Sequence, residues 1–126
     1  MSYKYFCNNP RQRCTIGDCV IRAISKALNK HWDEVYLDLV SEGFFMKDMP
    51  SSNEVWGSYL YSKGFHRHSI PDTFSYTVKD FCKDHPQGIY VIGTGTHAVC
   101  VKDGCFFDTW NSGDEQILYY WEDEQW

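Results

Sequence analysis

A chain of 126 residues with 43% hydrophobic and 17% aromatic content has the length of one domain and enough apolar side chain to fill a core, which excludes disorder and predicts a single unit over residues 1–126. A formal net charge of −5 and a pI near 5.4 give no basic footprint for nucleic acid and no polybasic patch for an anionic membrane. No apolar run approaches the roughly 20 residues of a membrane span, and Met1-Ser2-Tyr3-Lys4-Tyr5-Phe6 lacks the apolar stretch of a signal peptide, so a cytoplasmic protein is expected.

Along the chain, Gly17-Asp18-Cys19 opens the first helix. Asp18 is an N-cap residue type, and Val20, Ala23, Ile24, Ala27 and Leu28 follow at helical spacing, which puts Cys19 at the first helical position and the end near Asn29. Trp32, Val35, Tyr36, Leu39 and Val40 predict a second helix with Gly43 as its stop, then a loop from Phe44 to Pro50. Ser51-x-x-Glu54 reads as a capping box ahead of Val55, Trp56, Tyr59 and Leu60, with Gly64 as terminator. A strand from Phe65 to Ile70, a turn at Pro71-Asp72 and a helix from Val78 to Asp84 capped by Thr77 come next. Short strands over Ile89–Ile92, His97–Val101, Cys105–Trp110 and Ile117–Trp121 then predict an antiparallel meander, and the whole an α+β fold. The acidic end from Trp121 to Trp126 reads as solvated.

Cys19 carries the chemistry. A helix N-terminus offers free N–H groups and the positive end of the macrodipole, which favour thiolate over thiol. His97 is the matching base, and the hairpin around Asp103-Gly104 selects its orienting acid. A two-residue type I′ loop pairs Lys102 with Cys105 and Val101 with Phe106, which extends to Val99 with Asp108 and His97 with Trp110. His97 and Asp108 then share a face as diagonal neighbours, whereas Asn111 falls on the other face. Trp110 is expected to line the cleft beside His97. Trp56 and Tyr59 read as core aromatics. The six cysteines, at 7, 14, 19, 82, 100 and 105, are irregularly spaced and are expected to be reduced. His66-x-His68 puts two imidazoles on one strand face but brings no third ligand, so they read as solvent-facing and no metal or organic cofactor is expected.

A Cys on the first turn of an N-terminal helix, further helices, a His opening one strand and an Asp on the next is an order that resembles the papain-like cysteine peptidase superfamily. Thr96-His97-Ala98-Val99-Cys100-Val101 and Phe106-Phe107-Asp108-Thr109-Trp110 are similar to the His and Asp strands of the bacteriocin-processing peptidases, and Arg22-Ala23-Ile24 after the cysteine is similar to the ovarian-tumour deubiquitinases. Small proteins of gut-dwelling Gram-positive bacteria and their mobile elements also look like this chain. The resemblance implies a papain-like α+β domain whose cysteine helix packs on a C-terminal antiparallel sheet, with Cys19, His97 and Asp108 as a triad. It implies a thiol hydrolase acting on a peptide or isopeptide bond of a peptide or protein, and an acyltransferase would use the same residues. Papain-like peptidases place an oxyanion-binding Gln about five or six residues before the nucleophile. Here Gln12 stands seven before Cys19, with Asn8 and Asn9 as substitutes. A scaffold that has lost this group would serve as a non-catalytic binding module, for instance one that sequesters a host component.

Overall fold

In the computed structural model, which describes residues 2–71 and 75–124, the chain runs β1 (Tyr3–Tyr5), α1 (Cys19–Leu28), α2 (Trp32–Met46), α3 (Asn53–Ser62), β2 (Phe65–Ser69), α4 (Val78–Asp84), β3 (Ile89–Thr94), β4 (Ala98–Lys102), β5 (Cys105–Asp108) and β6 (Ile117–Asp123). The fold is α+β, with a mixed sheet. The expected turn at Pro71-Asp72 lies partly outside the described residues.

The helices begin and end for local reasons. Cys19 is the first residue of α1, as its spacing predicts, and the Asp18 carbonyl accepts the Arg22 N–H. The Asp18 side chain does not cap; it is turned inward instead. Asn29, at φ 56°, closes the helix in the left-handed region that Asn tolerates. α2 overruns the expected stop at Gly43 and continues to Met46, because Gly43 is there for space and not for a left-handed turn. A Cβ at that position would meet the Asp48 carbonyl oxygen at 2.7 Å, and the Asp48 N–H donates to the Gly43 carbonyl. The cap of α3 is Ser52, not Ser51: its Oγ accepts from the Glu54 N–H at 3.2 Å, so the expected box does not form. α4 carries a complete capping box between Thr77 and Asp80.

The sheet order among the described strands is β1-β5-β4-β3-β6-β2. Asp103 (φ 50°) and Gly104 (φ 79°) both take positive φ, as a type I′ loop requires, and Lys102 pairs with Cys105 and Val101 with Phe106. The meander ends there. β6 does not continue beside β5 but crosses to the far side of β3, where Tyr90 pairs with Glu122 and Ile92 with Tyr120. β2 closes that edge antiparallel to β6, and β1 pairs parallel with β5 at the other. The strands of His97 and Trp110 are also shorter than expected, starting at Ala98 and ending at Asp108.

Both faces of the sheet are covered, so β3 and β4 are apolar on both sides. Val91 and Cys100 face the layer of α1, α2 and α3 with Ile24, Leu39, Trp56 and Leu60, while Ile92, Val99 and Val101 face α4 through Phe81. Among the cysteines, Cys7 and Cys14 are joined in a disulfide with Cα atoms 5.8 Å apart, which corrects the expectation of six thiols. A spacing of seven residues carries no signature by itself; the loop geometry makes the bond. Among the described residues no helix is long and apolar enough to cross a membrane.

One close approach can be tested. Gly93 pairs with Tyr119, whose ring lies across it, and an added Cβ would fall 2.2 Å from Tyr119 Cζ. Gly93→Ala is expected to displace the ring and cost about 1–3 kcal/mol in urea unfolding. Gly95→Ala, with open space around it, should stay within about 0.5 kcal/mol.

Candidate active site

Three elements meet at one end of the sheet. α1 packs across β4 and delivers Cys19 on its first turn; His97 immediately precedes β4; Asp108 ends β5 across the tight hairpin. His97 Nε2 donates to Asp108 Oδ2 at 2.6 Å, with the imidazole only 10% exposed and the carboxylate fully buried. That leaves Nδ1 for Cys19, whose ionisation the His97 side chain and the Ala98 N–H both favour.

The electrostatics favour the charged pair. Burial works against a thiolate at Cys19, but the hydrogen bonds from His97 and the Ala98 N–H and the positive charges of His97 and Arg22 outweigh it, so the thiol ionises below its ordinary range. Burial likewise penalises an imidazolium at His97, yet bonding to Asp108 and Cys19 pushes its pKa up to about 9. Burial opposes ionisation of Asp108 too, and donation from His97 and Ser112 overcomes it and holds the carboxyl below the usual range. The arrangement favours a thiolate facing an imidazolium, the two titrating as a pair.

Asp108 is saturated. Oδ2 accepts from His97 and from Ser112 Oγ (2.6 Å); Oδ1 accepts from the Thr109 N–H (2.8 Å) and from Arg22 Nη2 (2.9 Å). Arg22 is itself 4% exposed and bridges to Asp18, whose other oxygen accepts from Trp32 Nε1 at 2.9 Å. The sequence reading missed Arg22 as part of the site. Its signal was available: an arginine among Val20, Ile21, Ala23 and Ile24, one turn from Cys19 and four residues after Asp18, must find buried carboxylates.

Cys19 and His97 open into a cavity of about 440 Å³. One wall is apolar, built by Val20, Tyr36, Leu39, Val40, Trp56 and Tyr119; the rim is Gly17, Asp18 and the Thr94-Gly95-Thr96 turn. Trp110 lies outside this lining. Its ring sits 5.1 Å from that of His97 and is 46% exposed, because β5 ends two residues earlier, so it covers the imidazole from outside instead of lining the cleft. Gln12 is not brought to the cavity either. It is exposed at φ 57° in the loop closed by Cys7 and Cys14, with its N–H on the Asn9 carbonyl. Asn9 is buried, its Oδ1 accepting from the Arg11 N–H, and Asn8 lines a separate cleft with Lys30 and His31. Among the described lining residues Asn53 carries the one side-chain amide, and Trp56 Nε1 occupies its Oδ1 at 3.0 Å, leaving the NH₂ free to donate.

Comparison of the chain with protein-family models, curated proteins and solved structures found no match.

Three outcomes follow from these contacts. Iodoacetamide labelling of Cys19 should proceed well below pH 8, with the acid limb set by the lowered thiol pKa, and Asp108→Asn should move that limb toward the ordinary value near 8.5. Because the His97 pKa is raised, the stabilisation from its protonated form is complete below pH ~6.5 and lost as pH climbs through about 9; that from the Cys19 thiolate has the opposite sense. Arg22→Met strands two buried carboxylates and should cost about 3–5 kcal/mol in urea unfolding.

Proposed function

We propose that this chain is a papain-like thiol hydrolase cleaving a peptide or isopeptide bond, with Cys19, His97 and Asp108 as its triad. The observation that carries the reading is the short hydrogen bond from His97 to the buried Asp108 in a cavity that Cys19 also lines, at a helix N-terminus. In the first half-reaction Cys19 Sγ attacks the carbonyl carbon, and the electrons pushed onto oxygen are met by the unbonded N–H groups of the first turn of α1. Asn53, through its amide NH₂, is the candidate second donor in place of Gln12. The C–N bond then breaks as His97 gives its Nδ1 proton to the leaving amine, and a thioester remains. Neutral His97 next takes a proton from water, whose oxygen attacks the thioester; the C–S bond breaks and the thiolate–imidazolium pair is restored. An amine in place of water would make the same site an acyltransferase. Asp108 keeps Nε2–H fixed and stabilises the imidazolium, so the imidazole always presents Nδ1 to sulfur.

The apolar wall of Tyr36, Leu39 and Val40 suits a peptide or protein substrate with an apolar side chain next to the scissile bond. The displaced Gln12 favours a second reading, a catalytically inactive module that binds through the same cavity. The cytoplasmic setting remains part of the proposal, and the Cys7–Cys14 disulfide weighs against it, since such bonds persist in oxidising compartments.

Turnover on a peptide and ubiquitin-like substrate panel decides between the readings. Cys19→Ala should abolish turnover and electrophile labelling while leaving the fold intact. Asp108→Ala, compared at matched folded fraction, should lose on the order of 10⁴ in turnover. Asn111→Ala should act only through the turn, where Asn111 Oδ1 accepts from the Gly113 N–H at 3.1 Å. No turnover on any substrate, together with ordinary thiol reactivity at Cys19, would support the binding module.

A further inference from the structure

At the opposite edge of the sheet, a histidine and two glutamates converge on a spot that the proposed reaction does not use. β2 and β6 pair with His66 opposite Glu122 and His68 opposite Tyr120. Side chains two apart on a strand share a face, so His66 and His68 lie on the same face as Glu122, and Glu124 follows just past the end of β6. His68 Nε2 stands 3.0 Å from Glu124 Oε2 and 3.3 Å from Glu122 Oε1, while His66 Nδ1 stands 3.3 Å from the other Glu124 oxygen.

Protons alone serve this cluster poorly. A ring nitrogen carries at most one hydrogen, and His68 Nε2 faces oxygens of two different carboxylates. The two carboxylates are themselves like charges gathered around one imidazole. A divalent cation answers both problems, accepting the Nε2 lone pair and offsetting the carboxylate charge. The dimensions fit: the ligand atoms of His68, Glu122 and Glu124 lie within 4.8 Å of one another. A tetrahedron of ~2.0–2.1 Å bonds has edges of ~3.3–3.4 Å, close to the nitrogen–oxygen separations here. The His68 ring is stacked on Tyr120, centroids 4.9 Å apart, which sets its plane. Side-chain exposures of 36–39% leave room for an ion to enter with a water.

We propose that His68, Glu122 and Glu124 form a binding site for a zinc-type divalent cation that clamps edge strand β2 to β6. Imidazole nitrogen beside carboxylate oxygen favours zinc and its transition-metal neighbours over magnesium or calcium. The pair His66-x-His68 lacked a third ligand only while β6 was placed beside β5. The crossover of β6 to β3, next to β2, supplies two.

The test is calorimetric titration of zinc into the chelator-treated full chain at pH 7.5, in the wild type and in Cys19→Ala, which removes the competing thiolate. One saturable equivalent is expected in Cys19→Ala, with a zinc-dependent rise in its thermal midpoint. On that background, affinity should fall at least tenfold with His68→Ala and at least tenfold with the shape-conserving Glu122→Gln. Absence of binding by Cys19→Ala, or an affinity unchanged by Glu122→Gln, would overturn the assignment whatever the fate of the proposed hydrolase activity.

Discussion

The buried guanidinium of Arg22 is the contact on which the rest of the site depends. It lies on α1, bridges Asp18 at the mouth of that helix to Asp108 at the end of β5, and so ties the thiol-bearing helix to the strand that orients the imidazole. Apolar packing of Ile24 with Leu39 and Cys100 holds α1 against α2 and β4. The guanidinium, together with the Thr109 N–H, fixes which oxygen of Asp108 is left for His97. With Oδ1 held by Arg22 and the Thr109 N–H, Oδ2 is presented to Nε2 and Ser112. Trp32 extends the same network to the start of α2 through Asp18.

The charges explain why so many ionised groups tolerate burial. Asp18, Asp108 and a Cys19 thiolate are negative, Arg22 and an imidazolium at His97 positive, and each sits beside an opposite sign. In such a cluster, neutralising one member unbalances its neighbours, which is why the thiol is drawn down and the imidazole up together. The cluster is also conformationally demanding. Asp18 cannot both cap α1 and face Arg22, and it faces Arg22; the helix N-terminus is therefore left without a side-chain cap.

What could be read from the sequence was what local chemistry decides. Asp103-Gly104 sets a loop type, the loop sets a register, and the register places His97 beside Asp108 before any tertiary contact is considered. Cys19 at a helix start and the Thr77 cap are legible for the same reason. The misjudged features are those in which distant residues overrule a local signal. Gly43 looks like a helix stop, but its value lies in the approach of Asp48 and Pro50. Ser51 and Ser52 are equivalent as cap types until the path of the preceding loop chooses one. β6 carries no mark of which edge it will join, and β1, three residues of alternating Tyr and Lys, is too short for any period to show. Gln12 failed because its loop is closed by a disulfide that spacing does not announce.

The parallel pairing of β1 with β5 sets an order in time. The β4–β5 hairpin is local and can form within ~1–10 μs, bringing His97 toward Asp108 early. β1 reaches β5 only by closing almost the whole chain: Tyr3 Oη donates to the Asp108 carbonyl across 105 positions, and the Phe6 N–H bonds that same carbonyl at 2.8 Å. The Arg22–Asp108 bridge spans 86. Contacts of such separation are late events, since loop-closure entropy must be met before they stabilise anything. A chain in which α1 has not yet met His97 and the start of β4 therefore lacks the groups that favour the Cys19 thiolate.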